Sequence, residues 1–222
     1  MAINKNKFKE VTKLVIDNLE GGYFNPLWHN VKDIRYNTSG ETMFGIDRIN
    51  GGDINKSPSG LKFWNLIDKN KNQKVWKWNY TGGNLNKELI DLTSDIIYPQ
   101  FIKYQNLWLK PKSIEIINNN DKLLFNFIYA TWNGPAWFKK FSNDFNEAIN
   151  KGETNEKNLE KLVINSRLNE GLKKNSKPIS LIVQGGKKIA NLFKIVPTEK
   201  KNKILIIVAV LTTIFLIHKF KK

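Results

Sequence analysis

The sequence predicts a mainly α (α+β) domain with a small β-hairpin, followed by a basic tail and a C-terminal transmembrane helix. Three observations lead there. Apolar residues recur at helical spacing through most of residues 1–172. Residues 23–60 break that rhythm with Asn, Gly, Pro and Ser. A charge-free apolar run, 204–217, lies near the end of the chain between lysines.

The first element is an amphipathic helix over 6–19, where Phe8, Val11, Val15 and Leu19 share one face, supported by Leu14. Gly21 and Gly22 stop it, as glycine does at helix C-termini. Loop with short strands follows, including a hairpin around 42–46. A second helix starts near Ser59 or Gly60 and carries Phe63, Trp64 and Ile67. A third, over 85–104, buries Leu85, Leu89, Leu92, Ile96 and Ile97 and ends at or shortly after Pro99. Residues 113–130 hold one or two helices. Residues 129–138 read as an aromatic turn, Tyr-Ala-Thr-Trp-Asn-Gly-Pro-Ala-Trp-Phe, before a helix that reaches about Asn150. Residues 153–172 form a charged helix with Leu159, Leu162 and Val163 inward.

Beyond Lys173 the character changes. Residues 179–196 are apolar with interspersed lysines, a break at Gly185-Gly186 and a stop at Pro197. The domain layout expected is therefore 1–172 as the folded unit, 173–202 as a basic amphipathic linker and 203–220 as a membrane helix. That last segment is close to the lower limit of a spanning length, and Lys203 and Lys219 can snorkel to the interfaces.

The net charge of the 222-residue chain is +16. Residues from Gly171 onward carry +11 of it, leaving +5 for residues 1–170. The strong positive field belongs to the tail, which suits anionic membrane lipids and gives no support for specific nucleic acid binding. No cysteine is present, so disulfides, thiolate metal sites and cysteine nucleophiles are excluded. The two histidines, His29 and His218, are too far apart in sequence to favour a histidine metal site or triad. No cofactor or metal is expected. Residues 1–20 are charged throughout and read without a signal peptide.

Glu20, in Glu20-Gly21-Gly22-Tyr23, follows the first helix. A carboxylate there meets the negative end of the helix dipole, and Leu19, Tyr23 and Phe24 add apolar surroundings. Both effects favour the neutral acid. A protonated carboxyl near neutral pH is what glycosidic cleavage requires, because the leaving oxygen must receive a proton.

Together with Ser39-Gly40-Glu41-Thr42-Met43-Phe44-Gly45-Ile46-Asp47, that motif resembles glycoside hydrolase family 108, phage and bacterial muramidases of the lysozyme-like superfamily. The family pairs Glu-Gly-Gly-Tyr with a following Asp-Pro-Gly-Gly-x-Thr-x-x-Gly-Ile. The resemblance covers roughly residues 8–50, and the Trp-Asn-Gly-Pro-x-Trp turn is reminiscent of lysozyme-like phage enzymes. It implies a lysozyme-like fold, peptidoglycan as substrate and Glu20 as general acid. It places Thr42 across the cleft, where its hydroxyl positions a water or sugar, and lets Gly40 and Gly45 shape the hairpin while Tyr23 lines the site.

Two departures stand out. The spacer between the motifs is longer, and Asn37 occupies the region of the family's Asp. An amide is neither base nor nucleophile. The second carboxylate is then Asp33, Glu41 or Asp47, or is absent; without one, a lytic transglycosylase needs only a single acid/base. The catalytic candidates are Glu20, Thr42 and Glu41, and hydrolysis and transglycosylation both stay open. Substrate-binding candidates are Tyr23, Asn37, Trp132, Asn133 and Trp137, with Trp28, Trp76 and Trp78 as further aromatic platforms. Asn133 is matched to an acetamido group. The Gly-Gly pairs at 51–52, 82–83 and 185–186 lack the Lys-Ser/Thr of phosphate loops and read as turns.

The expected function is a membrane-anchored, phage-type enzyme that cleaves the glycan strands of the bacterial wall, for genome delivery or host lysis. It would sit in a virion internal membrane or the host inner membrane, with the active domain facing the periplasm. Partners are peptidoglycan, anionic lipids and virion proteins. The competing readings are a non-catalytic virion structural or membrane-interaction protein that retains the domain, and a membrane-remodelling protein driven by residues 179–222.

Overall fold

Helix α1 (Lys5–Leu19) starts where the Asn4 side chain accepts hydrogen bonds from the backbone N–H groups of Asn6 and Lys7. It buries Phe8, Val11, Thr12, Val15 and Ile16, one continuous stripe. Leu14, read from the sequence as part of that stripe, is 46% exposed because it falls on the opposite face. The computed structural model describes residues 3–20, 22–23, 40–49, 51–71, 83–170 and 177–197. Asp33, Asn37, Trp28, Trp76, Trp78 and the 203–220 segment lie outside the described residues.

The elements after α1 are two short strands, β1 (Thr42–Met43) and β2 (Ile46–Asp47), then helices α2 (Asp53–Lys56), α3 (Pro58–Asn70), α4 (Gly83–Trp108), α5 (Pro111–Asn119), α6 (Asp121–Trp132), α7 (Pro135–Asn150), α8 (Glu156–Glu170) and α9 (Lys177–Leu192). The expected mainly α fold with one small hairpin is what the described residues form.

The core is built around α6. Every side chain from Leu123 to Thr131 is buried, so this helix has no solvent face, as befits the centre of a helical domain. Around it pack α1, α4, α5, α7 and α8. Phe127 touches Phe138 and Phe145 of α7 edge-on at 5.4 and 5.6 Å. The 113–130 region resolves into two helices because Asn120 ends α5 and caps α6, accepting from the N–H groups of Lys122 and Leu123.

Three expectations are corrected. Helix α4, expected over 85–104 with its end near Pro99 or shortly after, runs through Pro99 to Trp108. Proline removes one internal hydrogen bond, and burial of Ile96, Ile97, Phe101 and Tyr104 on both sides of it outweighs that loss. The aromatic stretch is not an extended turn: Tyr129–Trp132 finish α6, and the turn is Asn133-Gly134, with Gly134 at φ 95° and Pro135 opening α7.

The third correction concerns α9. Gly185-Gly186 does not break it; the helix runs unbroken from Lys177 to Leu192 and packs on α8 and α1. Ile182, Ile189 and Ala190 are buried there. Residues 177–192, expected within a linker, are a wall of the folded unit. The two glycines are contact points. A Cβ on Gly185 would stand 2.7 Å from the Tyr129 ring, and one on Gly186 would stand 3.1 Å from Arg167. No helix among the described residues is long and apolar enough to cross a membrane.

Candidate functional site

The sequence Met43-Phe44-Gly45-Ile46 folds as a two-residue hairpin, with Met43 paired to Ile46 and Thr42 to Asp47. Both turn residues have positive φ, 50° at Phe44 and 71° at Gly45, the geometry that matches strand twist. Phe44 is buried, and its carbonyl accepts a hydrogen bond of 3.1 Å from Trp132 Nε1. The hairpin tip is thereby fastened to the C-terminal end of α6.

That attachment brings Gly45 against Glu20. A Cβ on Gly45 would overlap the Glu20 carboxyl and stand 2.9 Å from Trp132 Cδ1. Glu20 itself leaves α1 in an extended conformation, φ −100° and ψ 145°, which turns its side chain toward the hairpin. It lines a cavity of about 300 Å³ with Leu19, Gly45, Tyr129, Trp132 and Asn133, closed on the far side by Gln184, Gly185 and Lys188 of α9. A second compartment of about 260 Å³ shares Gly45 and Trp132 and continues past Asp47, Gln100, Tyr104 and Gly134. Gly45 and Trp132 are a wall common to both cavities.

Burial pushes the Glu20 carboxyl up to about 7, and the charge of Lys188 opposes that rise only in part. Desolvation disfavours the anion, so a large share of the acid keeps its proton near neutral pH. A proton donor beside a cavity with a partly exposed Trp is suited to protonating an oxygen of a bound polymer.

Glu41 has different surroundings. It accepts hydrogen bonds from the Tyr23 hydroxyl, from Arg48 and from Lys71 Nζ at 2.7 Å. Arg48 and Lys71 continue to Asp68, with Arg48 forking onto both its oxygens at 2.7 and 2.6 Å. Burial alone would raise the Glu41 carboxyl; the bonds from Lys71, Tyr23 and Arg48 outweigh it and hold the group below its ordinary range. This network ties the base of the hairpin to α3. Tyr23 is fully buried and serves as its hydroxyl donor rather than as an open wall.

Of the other candidates, Asn133 lines the Glu20 compartment and Trp132 both compartments, while Thr42 and Trp137 line neither. Trp137 packs against Phe141 on α7 at 6.1 Å. Asp47, one of the alternatives for a second carboxylate, lines the second compartment.

Sequence reasoning missed Lys188, Gln184 and Tyr129 at the site. The Gly185-Gly186 pair was their signal: small residues permit a close helix contact as readily as a turn. It missed Arg167 too, since a buried arginine leaves no mark on apolar periodicity. No group of acidic and histidine side chains able to hold a metal occurs among the described residues. No protein-family model, curated protein or solved structure matches the chain.

Proposed function

We propose that the protein is a peptidoglycan-cleaving enzyme of lysozyme-like fold with Glu20 as its acid. One observation carries the reading: a carboxyl lifted to about 7 lines a cavity walled by Trp132 and Gly45 of the hairpin. In this reading a glycan strand binds with one of its linkages beside Glu20. Neutral Glu20 gives its proton to the glycosidic oxygen as the bond to the anomeric carbon breaks. The leaving sugar departs as an alcohol, and positive charge is left on the ring.

The Glu20 carboxylate formed in that step then takes a proton from the attacking hydroxyl. With water as nucleophile the product has a reducing end. With the substrate's own 6-hydroxyl it is a 1,6-anhydro sugar. Asp47, which lines the neighbouring cavity, is the candidate second carboxylate. The membrane reading of 203–220 rests on its composition, and it would hold the enzyme beside an insoluble substrate at raised effective concentration.

The test is clearance of purified bacterial walls by the full chain in nonionic detergent, wild type against Glu20→Gln. Glu20→Gln should lower the rate by about a hundredfold or more, the usual contribution of a general acid. Equal rates would remove Glu20 from the chemistry. Mass spectrometry of the fragments separates reducing from anhydro ends.

A further inference from the structure

The Glu41 side chain is 14% exposed, and its carboxylate joins three parts of the chain. Oε1 accepts from the Tyr23 hydroxyl and from Lys71 Nζ, and Oε2 accepts from Arg48 Nη1. Tyr23 is fully buried and lies three residues after Glu20. Arg48 follows β2, and its backbone N–H donates to the Glu41 carbonyl at 2.9 Å, one pair below Thr42–Asp47 in the hairpin ladder. Lys71 caps the C-terminal end of α3, where it and Arg48 both reach Asp68. The end of β2 is seated a second time. Asn55 Nδ2 donates to the carbonyls of Asp47 and Arg48, each at 2.8 Å, and Trp64 Nε1 of α3 donates to Asn55 Oδ1 at 2.9 Å. The Arg48 Cζ also stands over the Trp64 ring, 5.0 Å from its centroid.

We propose, resting on the reading above, that Tyr23, Glu41 and Arg48 are positioning residues for Glu20: one clamp holds both the segment that follows the acid and the hairpin that touches it. Gly45 lies in the turn of the ladder that Glu41 and Arg48 close, and it packs against the Glu20 carboxyl. Trp132 fastens the tip, so the base decides the angle at which Gly45 meets the acid. Partly exposed ion pairs add little stability, but a forked arginine fixes direction. The fork from Arg48 to Asp68 sets the base against α3, and the Tyr23 hydroxyl ties the segment after Glu20 to the same carboxylate. Loosening either arm lets water reach the Glu20 carboxyl, whose proton is held by burial. Glu41 lines neither of the cavities that share Trp132, so it serves the acid through geometry and not through contact with substrate.

The deciding variant is Arg48→Lys, made in the full chain in nonionic detergent. It keeps the charge and loses the fork, so a change at Glu20 comes from lost geometry. The readout is carbon-13 NMR of protein labelled in glutamate, with Glu20 identified as the resonance missing from Glu20→Gln. In Arg48→Lys the Glu20 midpoint should fall about 1 pH unit below its wild-type value of about 7. On walls, kcat at the pH optimum of each protein should fall about tenfold with KM within about twofold. Tyr23→Phe removes one hydrogen bond and no charge, and should lower the midpoint in the same direction; it decides if Arg48→Lys does not fold. A Glu20 midpoint equal to wild type in the folded variant, whatever its melting temperature, makes the clamp merely structural and overturns the proposal. So does a Glu41→Gln variant that loses a hundredfold or more in kcat with the Glu20 midpoint unmoved, since Glu41 is then a catalytic group. A wild type without wall activity removes the reading under Proposed function, and the Glu20 midpoint still decides the clamp.

Discussion

At Glu20 the physics of stability and of reactivity oppose each other. The carboxyl is raised from an ordinary 4.5 to about 7 by burial, so the folded state holds the proton more tightly than the unfolded chain. Stability from this group is fully present below the unfolded value and is lost as pH rises through about 7. The loss amounts to about 3 kcal/mol at most. Glu20→Gln should therefore unfold in urea with the same free energy as wild type near pH 4 and a higher one at pH 8. In wall clearance the wild-type rate should fall along a basic limb centred near pH 7, because the acid must be protonated. Lys188 on α9 and Tyr129 on α6 face this carboxyl; the Lys188 charge lowers it. Lys188→Gln should move the basic limb to higher pH, read from the pH profile of kcat/KM. A limb that moves down would show that the ammonium does not act on the acid. Glu20 was legible in the sequence through its position after a helix and its Gly-Gly-Tyr sequel. The cause was legible only in part: the helix dipole and near neighbours were in view, but enclosure by the hairpin and α9 is a matter of distant contacts.

At the scale of elements, the hairpin and α9 act as two jaws, each closed by a glycine. Gly45 combines φ 71° with a contact on the Glu20 carboxyl, so Gly45→Ala is opposed twice. It should destabilise by about 1–3 kcal/mol and abolish wall clearance, measured by urea unfolding and turbidity. Gly185→Val should cost a similar ~1–3 kcal/mol by pushing α9 from Tyr129, with loss of activity beyond what the stability change explains. The alternating Gly, Thr and apolar residues made the hairpin visible in sequence. Its two-residue length was less so, because a buried Phe44 at positive φ is held there by Trp132, 88 positions away. The separation of Glu41 from Glu20 is likewise tertiary. Strand alternation says that Glu41 and Thr42 face opposite ways; only Arg48, Asp68 and Lys71 decide that Glu41 faces α3.

For the molecule as a whole, α9 belongs to the folded unit. A chain ended at Pro197 should clear walls at the wild-type rate per mole when walls are in suspension, and should unfold in one cooperative transition. A chain ended at Glu170 loses the α9 wall of the Glu20 compartment and the partner of α8. It should show a melting temperature lower by several degrees and little clearance. If the shorter chain keeps full activity, α9 is dispensable and the site lies elsewhere.

Local quantities were legible in the sequence alone: the mainly helical character, the faces of α1 and α3, how charge divides along the chain, and which carboxyl follows α1. These follow from near neighbours along the chain, through periodicity, capping and composition. Distant contacts decided that Gly185-Gly186 is a helix contact, that α4 runs on to Trp108 and that Arg167 lies buried behind Asn133. They also decided that Glu20 is flanked by residues 25 to 168 positions away, from Gly45 to Lys188. Each of these is a balance between a local cost and burial against a distant segment, and the distant partner is not written in the neighbourhood that bears the cost.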